Sequence, residues 1–353
     1  MRIEDHLDKE TSVSAEVTPT GVKAIAKSRF IAAIDRLGGN LAELMNAPME
    51  AWTAEKRARS DARVRAIEAM TEIGLDQLRT DREFAERAIR GHLESIFVER
   101  QNKDAVLGKA IEDLRRQPPT EAEATSGPET LDETFTHRFE RYAGSATTDE
   151  LREKWGRVLA AEVRRPNTFS AKVLRTVDEI DPETATLFEK VCEHRLDNVL
   201  VKCLVGELSF EETVKLTEAG LLVEPGFSGQ VRQSTEVTSN KGVEIWFWNF
   251  EILGLALIKD STIGGVIEKQ ILKFEKGSPM IPVYVLTDVG KAISSILPNH
   301  TASAIEALVA KLSESAPQSP VMIYKNQAPR SSAWTNIKTI PAKSPPQEES
   351  TLG

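Results

Sequence analysis

Residues 151–170 carry the most informative pattern in this chain, LREKWGRVLAAEVRRPNTFS. Apolar side chains recur three and four positions apart from Leu151 to Val163, which predicts an amphipathic helix with one buried face. Trp155 and Leu159 lie one turn apart on that face, so their side chains cover the same neighbouring surface. The pattern predicts helix-on-helix packing in this part of the chain.

Three other residues of the stretch are predicted to shape this helix and its contacts. Gly156 lets another helix approach closely because it has no side chain. Pro166 ends the helix, and Phe169 closes the core that the helix covers. All three roles are structural.

The charged residues of the same stretch have two interpretations. In the first they are structural, and Glu162 pairs with Arg165 or with Arg138. In the second they form a contact site for a ligand or a partner protein, with Glu162, Arg164 and Arg165 as the candidate residues. The sequence favours the structural role and leaves the contact site open.

This motif resembles a bacterial family known as domain of unknown function 2806. The family carries W-G-x-x-L-A-x-E and then P-x-x-F-S, which this chain matches from Trp155 to Ser170. A looser version of the pattern is similar to the alpha-type abortive-infection proteins of phage defence. The resemblance implies a bacterial, cytoplasmic protein, often from mobile or defence-linked genes, and it supplies no catalytic residues.

The composition predicts more than one folded unit. The chain has 353 residues, which exceeds the roughly 100–200 residues of a usual domain. Its net charge of -9 argues against a general affinity for nucleic acid and leaves only a local basic face open. Residues 1–20 have no apolar signal core and no window approaches the ~20 apolar residues of a spanning helix, so a cytoplasmic location is expected.

Changes in composition and periodicity divide the chain into six predicted segments. They are a disordered tail (1–18), a long-helix region of the oligomerisation type (19–116), a linker (117–130), a central helical domain (131–205), a winged-helix-like α+β domain (206–325) and a second disordered tail (326–353). The predicted fold class is therefore mainly α, with long N-terminal helices, a central helical bundle and a smaller α+β C-terminal part.

The winged-helix prediction depends on the order of elements in the C-terminal part. A helix capped by Ser209 ends at Gly220 and is followed by a strand, and Thr287 opens a further helix after a strand. Residues 225–283 would form an enlarged wing between these ends. Within them, a hairpin is predicted around the turn at residues 275–279.

The strand predicted for residues 243–250 contains three consecutive aromatic residues, Trp246, Phe247 and Trp248. Side chains alternate along a strand, so the two tryptophans share one face and Phe247 lies on the other. The tryptophans either belong to the core or form an exposed aromatic platform for a ligand, a base or a protein. We treat Trp246 and Trp248 as candidate interaction residues.

A basic run lies in the first turns of a long helix predicted from residue 49 to about residue 80. It is either the solvated flank of a coiled coil or a contact for nucleic acid or a membrane surface. Its candidate residues are Lys56, Arg57, Arg59 and Arg63.

The sequence contains no recognisable catalytic or metal-binding pattern. The five histidines form no H-x-x-x-H pair, and G-x-S-x-G and the phosphate-loop motifs are absent. Cys192 and Cys203 would be roughly 16 Å apart on one helix, too far for a disulfide, and both are predicted to be buried apolar residues. No catalytic residue, cofactor or metal is predicted.

These observations favour a non-enzymatic bacterial sensor or adaptor, with a link to phage defence implied only by the resemblance. It would form a homo-oligomer through its N-terminal helices and bind an unknown protein partner through its C-terminal domain. Two alternatives stay open: a winged-helix DNA-binding regulator, whose recognition helix would be acidic, and a membrane-surface effector acting through residues 20–65. An enzyme with an unfamiliar site is a lesser alternative.

Overall fold

The computed structural model describes residues 29–34, 65–72, 82–125, 127–259, 271–315, 319–326 and 333–342. The chain divides into two compact units, Met1–Ala171 and Lys172–Gly353. This division falls inside residues 131–205, which the sequence analysis treats as one domain. The predicted tail at 1–18 and the basic candidates Lys56, Arg57, Arg59 and Arg63 lie outside the described residues.

The first unit is helical in its described part. Residues 29–34 and 65–72 form short helical segments. The longer elements are α1 (Arg82–Arg116), α2 (Glu121–Thr125), α3 (Glu133–Gly144) and α4 (Asp149–Arg164). Asp132 and Thr148 cap α3 and α4, because each side chain accepts a hydrogen bond from a backbone N–H in the first turn.

Helices α1 and α4 pack closely around a glycine. Gly156 of α4 lies so near α1 that a methyl group there would be 2.5 Å from Cβ of Lys109 and 3.0 Å from the backbone N of Ala110. The fully buried apolar residues of α1 begin at Val106. The second half of α1 therefore packs in the core, and Gly156 has the role that the sequence predicts.

The described residues of the predicted linker at 117–130 include regular structure. They contain α2, and Ala124 of that helix is buried. Thr120 and Glu123 form reciprocal hydrogen bonds, from Thr120 N to Glu123 Oε2 (3.0 Å) and from Glu123 N to Thr120 Oγ1 (3.3 Å). This arrangement is a capping box, and its T-x-x-E signature is present in the sequence.

The second unit combines helices with antiparallel sheets. Its helices are α5 (Ala171–Glu179), α6 (Pro182–Cys192), α7 (Lys202–Val205), α8 (Phe210–Glu218), α9 (Asp288–Ser294) and α10 (Thr301–Ser315). Its strands are β1 (Arg195–Leu196), β2 (Val199–Val201), β3 (Gln230–Gln233), β4 (Thr235–Thr238), β5 (Glu244–Phe250), β6 (Leu253–Ile258), β7 (Lys273–Glu275), β8 (Ser278–Val285), β9 (Val321–Asn326) and β10 (Trp334–Ile340). The α+β class predicted for this part is confirmed.

The strands in the described part of this unit form two sheets of five strands each. The first has the order β1-β2-β8-β3, with β7 also paired to β8, and the second has the order β10-β9-β6-β5-β4. The hydrophobic core joins both sheets to α10, and it includes Ile281 and Val283 from the first sheet, Trp248 and Leu255 from the second, and Leu308 from α10.

The hairpin predicted in this unit is confirmed. Strands β7 and β8 pair antiparallel, with Glu275 opposite Ser278. The two residues between them, Lys276 and Gly277, have φ angles of 51° and 84°. Positive φ at both positions is typical of the type I′ turn that matches the twist of a hairpin.

Two other predictions for the C-terminal part are wrong. Residues 225–283 do not form one enlarged wing, because β4, β5 and β6 belong to the second sheet together with β9 and β10. Residues 326–353 are not a wholly disordered tail, because β10 pairs antiparallel with β9. The sequence WTNIKTI of β10 contains four β-branched residues and a tryptophan, which favour a strand, although five of its seven residues are exposed. Among the described residues, no helix is long and apolar enough to cross a lipid bilayer.

We expect Gly156→Ala to lower the free energy of unfolding of the first unit by about 1–3 kcal/mol, because the added methyl group would overlap backbone atoms of α1. Gly91→Ala is the matched control, since a Cβ at Gly91 meets nothing within 4 Å. That change should stabilise α1 by about 0.5–1 kcal/mol. Urea unfolding followed by circular dichroism measures both, and equal effects of the two changes would contradict the close contact.

Candidate binding surface on the C-terminal sheet

The motif around Trp155 builds the core of the first unit. Trp155 is 1% exposed, and its ring stacks on Tyr142 with centroids 4.7 Å apart and meets Phe139 edge-on at 6.0 Å. Leu159 and Phe169 are also buried. The aromatic and apolar side chains of the motif are thus buried in intramolecular contacts, as the structural interpretation predicts.

Glu162 stabilises the turn that follows α4. Its side chain is fully buried, and its carboxylate accepts hydrogen bonds from the backbone N–H groups of Asn167 (2.6 Å), Thr168 (3.1 Å) and Phe169 (2.9 Å). Burial raises the pKa of Glu162, and the three hydrogen bonds oppose that rise. The predicted pairing of Glu162 with Arg165 or Arg138 is therefore wrong, because backbone amides occupy both carboxylate oxygens.

The two arginines after Glu162 join α4 to other helices of the same unit. Arg164 forms an ion pair with Asp113 at 2.6 Å and donates to the carbonyl oxygens of Asp113 and Gln117 at the end of α1. Arg165 pairs with Glu123 of α2 at 2.7 Å. Both arginines are engaged in intramolecular contacts, so the geometry favours their structural interpretation.

A buried arginine that sequence reasoning missed completes this arrangement. Arg29 is 0% exposed and donates hydrogen bonds to the carbonyl oxygens of Pro128 (2.6 Å), Glu123 (3.3 Å) and Val163 (3.2 Å). Burial lowers the pKa of its guanidinium group. Its acceptors are backbone atoms far along the chain, so no local pattern could have identified this role.

The two candidate tryptophans of β5 belong to the core. Trp246 is 9% exposed and Trp248 is 0% exposed, and both pack in the hydrophobic cluster that includes α10. They cannot serve as an exposed aromatic platform. Phe247 lies on the opposite face of the strand, where it is half-buried.

We call that opposite side of the second sheet the outer face. The strand registers place on it every second residue of the five strands. These are Thr235, Val237, Ile245, Phe247, Asn249, Gly254, Ala256, Ile258, Met322, Tyr324, Asn326, Trp334, Asn336 and Thr339. None of these fourteen residues is charged. Ile245, Gly254, Ala256 and Asn326 are buried, and the other ten are partly or fully exposed.

Three aromatic side chains converge on the outer face. The ring of Phe247 meets that of Tyr324 with centroids 5.8 Å apart and an interplanar angle of 80°, and it meets that of Trp334 at 4.9 Å and 69°. All three side chains are half-buried. Gly254 lies beneath them, since a Cβ there would overlap the ring of Phe247. This aromatic cluster joins β5, β9 and β10 and presents partly exposed rings to solvent.

Metal-binding side chains and cysteines were the remaining candidates for chemistry. No group of three or more His, Cys, Asp or Glu side chains in the part of the chain that the structure describes is placed to hold a metal ion. Cys192 ends α6 and Cys203 lies in α7, so the prediction that they share one helix is wrong. Burial raises the pKa of Cys192 to about 12 and that of Cys203 to about 11, which leaves both as weakly reactive thiols near neutral pH.

We expect Glu162→Gln to reduce the free energy of unfolding of the first unit by about 1–3 kcal/mol, because one carboxylate oxygen becomes an NH2 group that cannot accept from a backbone N–H. Glu129→Gln, at an exposed position, is the control and should change little. Chemical denaturation of the full chain checks both. Equal stability of the two variants would show that the turn after α4 does not depend on the carboxylate.

Comparison with known proteins agrees with the helical motif. Residues 98–206 match the family model described as Protein of unknown function (DUF2806), and this range contains the whole stretch 151–170. No curated protein and no solved structure matches the chain. The similarity to abortive-infection proteins is not shown by these comparisons. Residues 98–206 of the chain are therefore similar to the DUF2806 family of proteins of unknown function.

Proposed function

We propose that this chain is a non-enzymatic, cytoplasmic bacterial adaptor or sensor that self-associates through its N-terminal helices and binds a protein partner through the outer face. The observation that carries the proposal is the uncharged outer face with its aromatic cluster. Charged residues make up 28% of the chain, so about three of the ten outer-face residues that are not buried would be charged if the outer face were ordinary surface. Interface cores are depleted of charge and enriched in aromatic residues.

The exposed first half of α1 supports self-association. None of residues 86–101 is buried, whereas the second half of the helix packs against α4. Ile96 and Val98 are 48% and 36% exposed. Ile89, Leu93 and Phe97 are half-buried and continue the apolar stripe at helical spacing. A second copy of the chain could cover the exposed apolar groups of this helix.

We also propose that the first sheet and its helices follow a winged-helix plan. The order β2-β8-β3, with α8 before β3 and α9 after β8, supports this proposal. The charges of α8 favour a protein ligand over DNA. Its exposed side carries Glu211, and its one basic residue, Lys215, is ion-paired with Glu183 and Glu211. Such a helix would repel phosphate groups.

Self-association is tested by size-exclusion chromatography with light scattering on the full chain. We expect an oligomer, and we expect Ile96→Glu to shift it towards the monomer because a charge would be buried in the helix contact. Gln101→Glu adds the same charge at another exposed position of α1 and should leave the oligomer unchanged. A monomeric full chain at high protein concentration would contradict this part of the proposal.

Partner binding is tested by capture of bacterial proteins on the immobilised full chain, followed by mass spectrometry. We expect at least one protein whose retention falls tenfold or more with Asn249→Glu, which places a charge at an exposed position of the outer face. Lys325→Glu is the control, because Lys325 is exposed on β9 but alternates with the outer-face residues Tyr324 and Asn326. Retention that is insensitive to Asn249→Glu would contradict binding at the outer face.

A further inference from the structure

We propose that the partner of the outer face is a single amphipathic helix whose contact side is apolar and uncharged. This inference rests on the proposed partner-binding function and specifies the chemistry of the partner. It follows from three properties of the outer face, which are its charge, its size and its hydrogen bonding.

The absence of charge restricts what the outer face can bind. A charged side chain buried against this face would lose its hydration and find no opposite charge among the fourteen residues. The polar groups that the face does offer, such as those of Asn249 and Asn336, are exposed amides. The contact side of the partner must therefore be apolar, with any polar groups confined to its margins.

The size of the outer face fits one helix better than a second copy of the sheet. Five strands separated by about 4.8 Å span about 19 Å, and the outer residues of β5 from Ile245 to Asn249 span about 14 Å. The outline of the face is therefore roughly 270 Å², well below the ~800 Å² that each partner buries in a standard interface. A helix of about 10 Å diameter and about 13 residues has matching dimensions.

Hydrogen bonding favours a helix over an extended segment. Strands β9, β6 and β5 are each paired on both sides, so their backbone groups are already satisfied and the outer face offers side chains. A ligand that lies across such a face must satisfy its own backbone groups, which a helix does internally. Strand addition is possible only at the edges of the sheet, and β10 has a register shift between Asn336 and Lys338 that disturbs its edge.

The aromatic cluster provides the anchor points for such a helix. Phe247, Tyr324 and Trp334 are half-buried and hold one another at ring distances of 4.9 and 5.8 Å. Rigid aromatic groups of this kind dominate the energy of helix and protein binding because little side-chain freedom is lost on contact. Apolar residues of the partner helix, spaced three and four positions apart, would pack around these rings.

The experiment is a selection of random 20-residue peptides displayed on ribosomes against the immobilised full chain. Each round includes counter-selection against the full chain carrying Met322→Glu, which places a charge beside the aromatic cluster. We expect enriched peptides with apolar residues at positions i, i+3, i+4 and i+7 and no charge on that side. Synthetic copies of these peptides should bind at least tenfold more weakly to the Met322→Glu variant and to the Asn249→Glu variant, whose substitution lies at an exposed position. They should bind the Lys325→Glu variant as tightly as the wild type.

Three outcomes overturn the inference. Enriched peptides with apolar residues at every second position would indicate pairing with a strand edge. Peptides with basic or acidic contact positions would indicate a site elsewhere. An absence of peptides that distinguish the wild type from Met322→Glu would exclude helix binding at this face.

Protein capture separates this inference from the proposed function. If capture still depends on Asn249 in any of these cases, the proposed function stands and only the helical partner fails. If capture is also insensitive to Asn249→Glu, both proposals fail. Circular dichroism of each variant confirms that the fold is retained.

Discussion

Alternation of side chains along β5 is the constraint on which the C-terminal unit depends. Trp246 and Trp248 enter the core, and Phe247 between them lies on the outer face. A slip of one residue in the pairing of β5 would move Trp246 and Trp248 to the outer face and turn Asn249 towards the core. The burial of the two tryptophans therefore fixes the register of β5 against β4 and β6, and this register determines which residues the outer face contains.

The helical motif of the first unit depends on a different constraint, the close approach of two helices at Gly156. The chain then turns at Asn167, which has a φ of 69°, and the buried carboxylate of Glu162 holds the amides of this turn. These contacts explain the motif by folding alone. The family match ends at residue 206, whereas the outer face begins at Thr235, so the family motif and the proposed binding surface are separate properties of the chain.

Local patterns predicted the features whose causes are local. Spacing of apolar residues predicted α4, the serine cap at Ser209 predicted the start of α8, and a turn sequence predicted the β7–β8 hairpin. The alternation rule also placed both tryptophans of β5 on one face. Composition predicts a linker at residues 117–130, although the T-x-x-E signature of the α2 capping box is present in the same stretch.

Features that depend on distant segments were not predictable in this way. Strand β10 is mostly exposed and lies in a part of the sequence whose composition predicts a disordered tail, yet its pairing with β9 gives it a place in the sheet. The aromatic cluster forms only when Phe247, Tyr324 and Trp334 come together from three strands, and the spacing of residues along the sequence does not predict this contact. The same applies to Arg29, whose acceptors lie 94 to 134 residues away along the chain. Such sites emerge only when the pairing of the whole sheet or bundle is known.

The edges of the second sheet are protected against added strands, whereas its outer face is not protected by charges, and this contrast bears on function. Strand β4 is short, with four residues, and β10 has an interrupted register, so both edges are poor templates for strand addition. Charges on the outer face would give similar protection against unwanted contacts, yet that face has none. A partly exposed apolar surface lowers stability and raises the risk of aggregation. Because the edges of this sheet are protected and its outer face is not, a contact made through the side chains of that face is the best explanation. A sheet that excludes added strands while leaving an aromatic face open is suited to a partner that brings its own satisfied backbone.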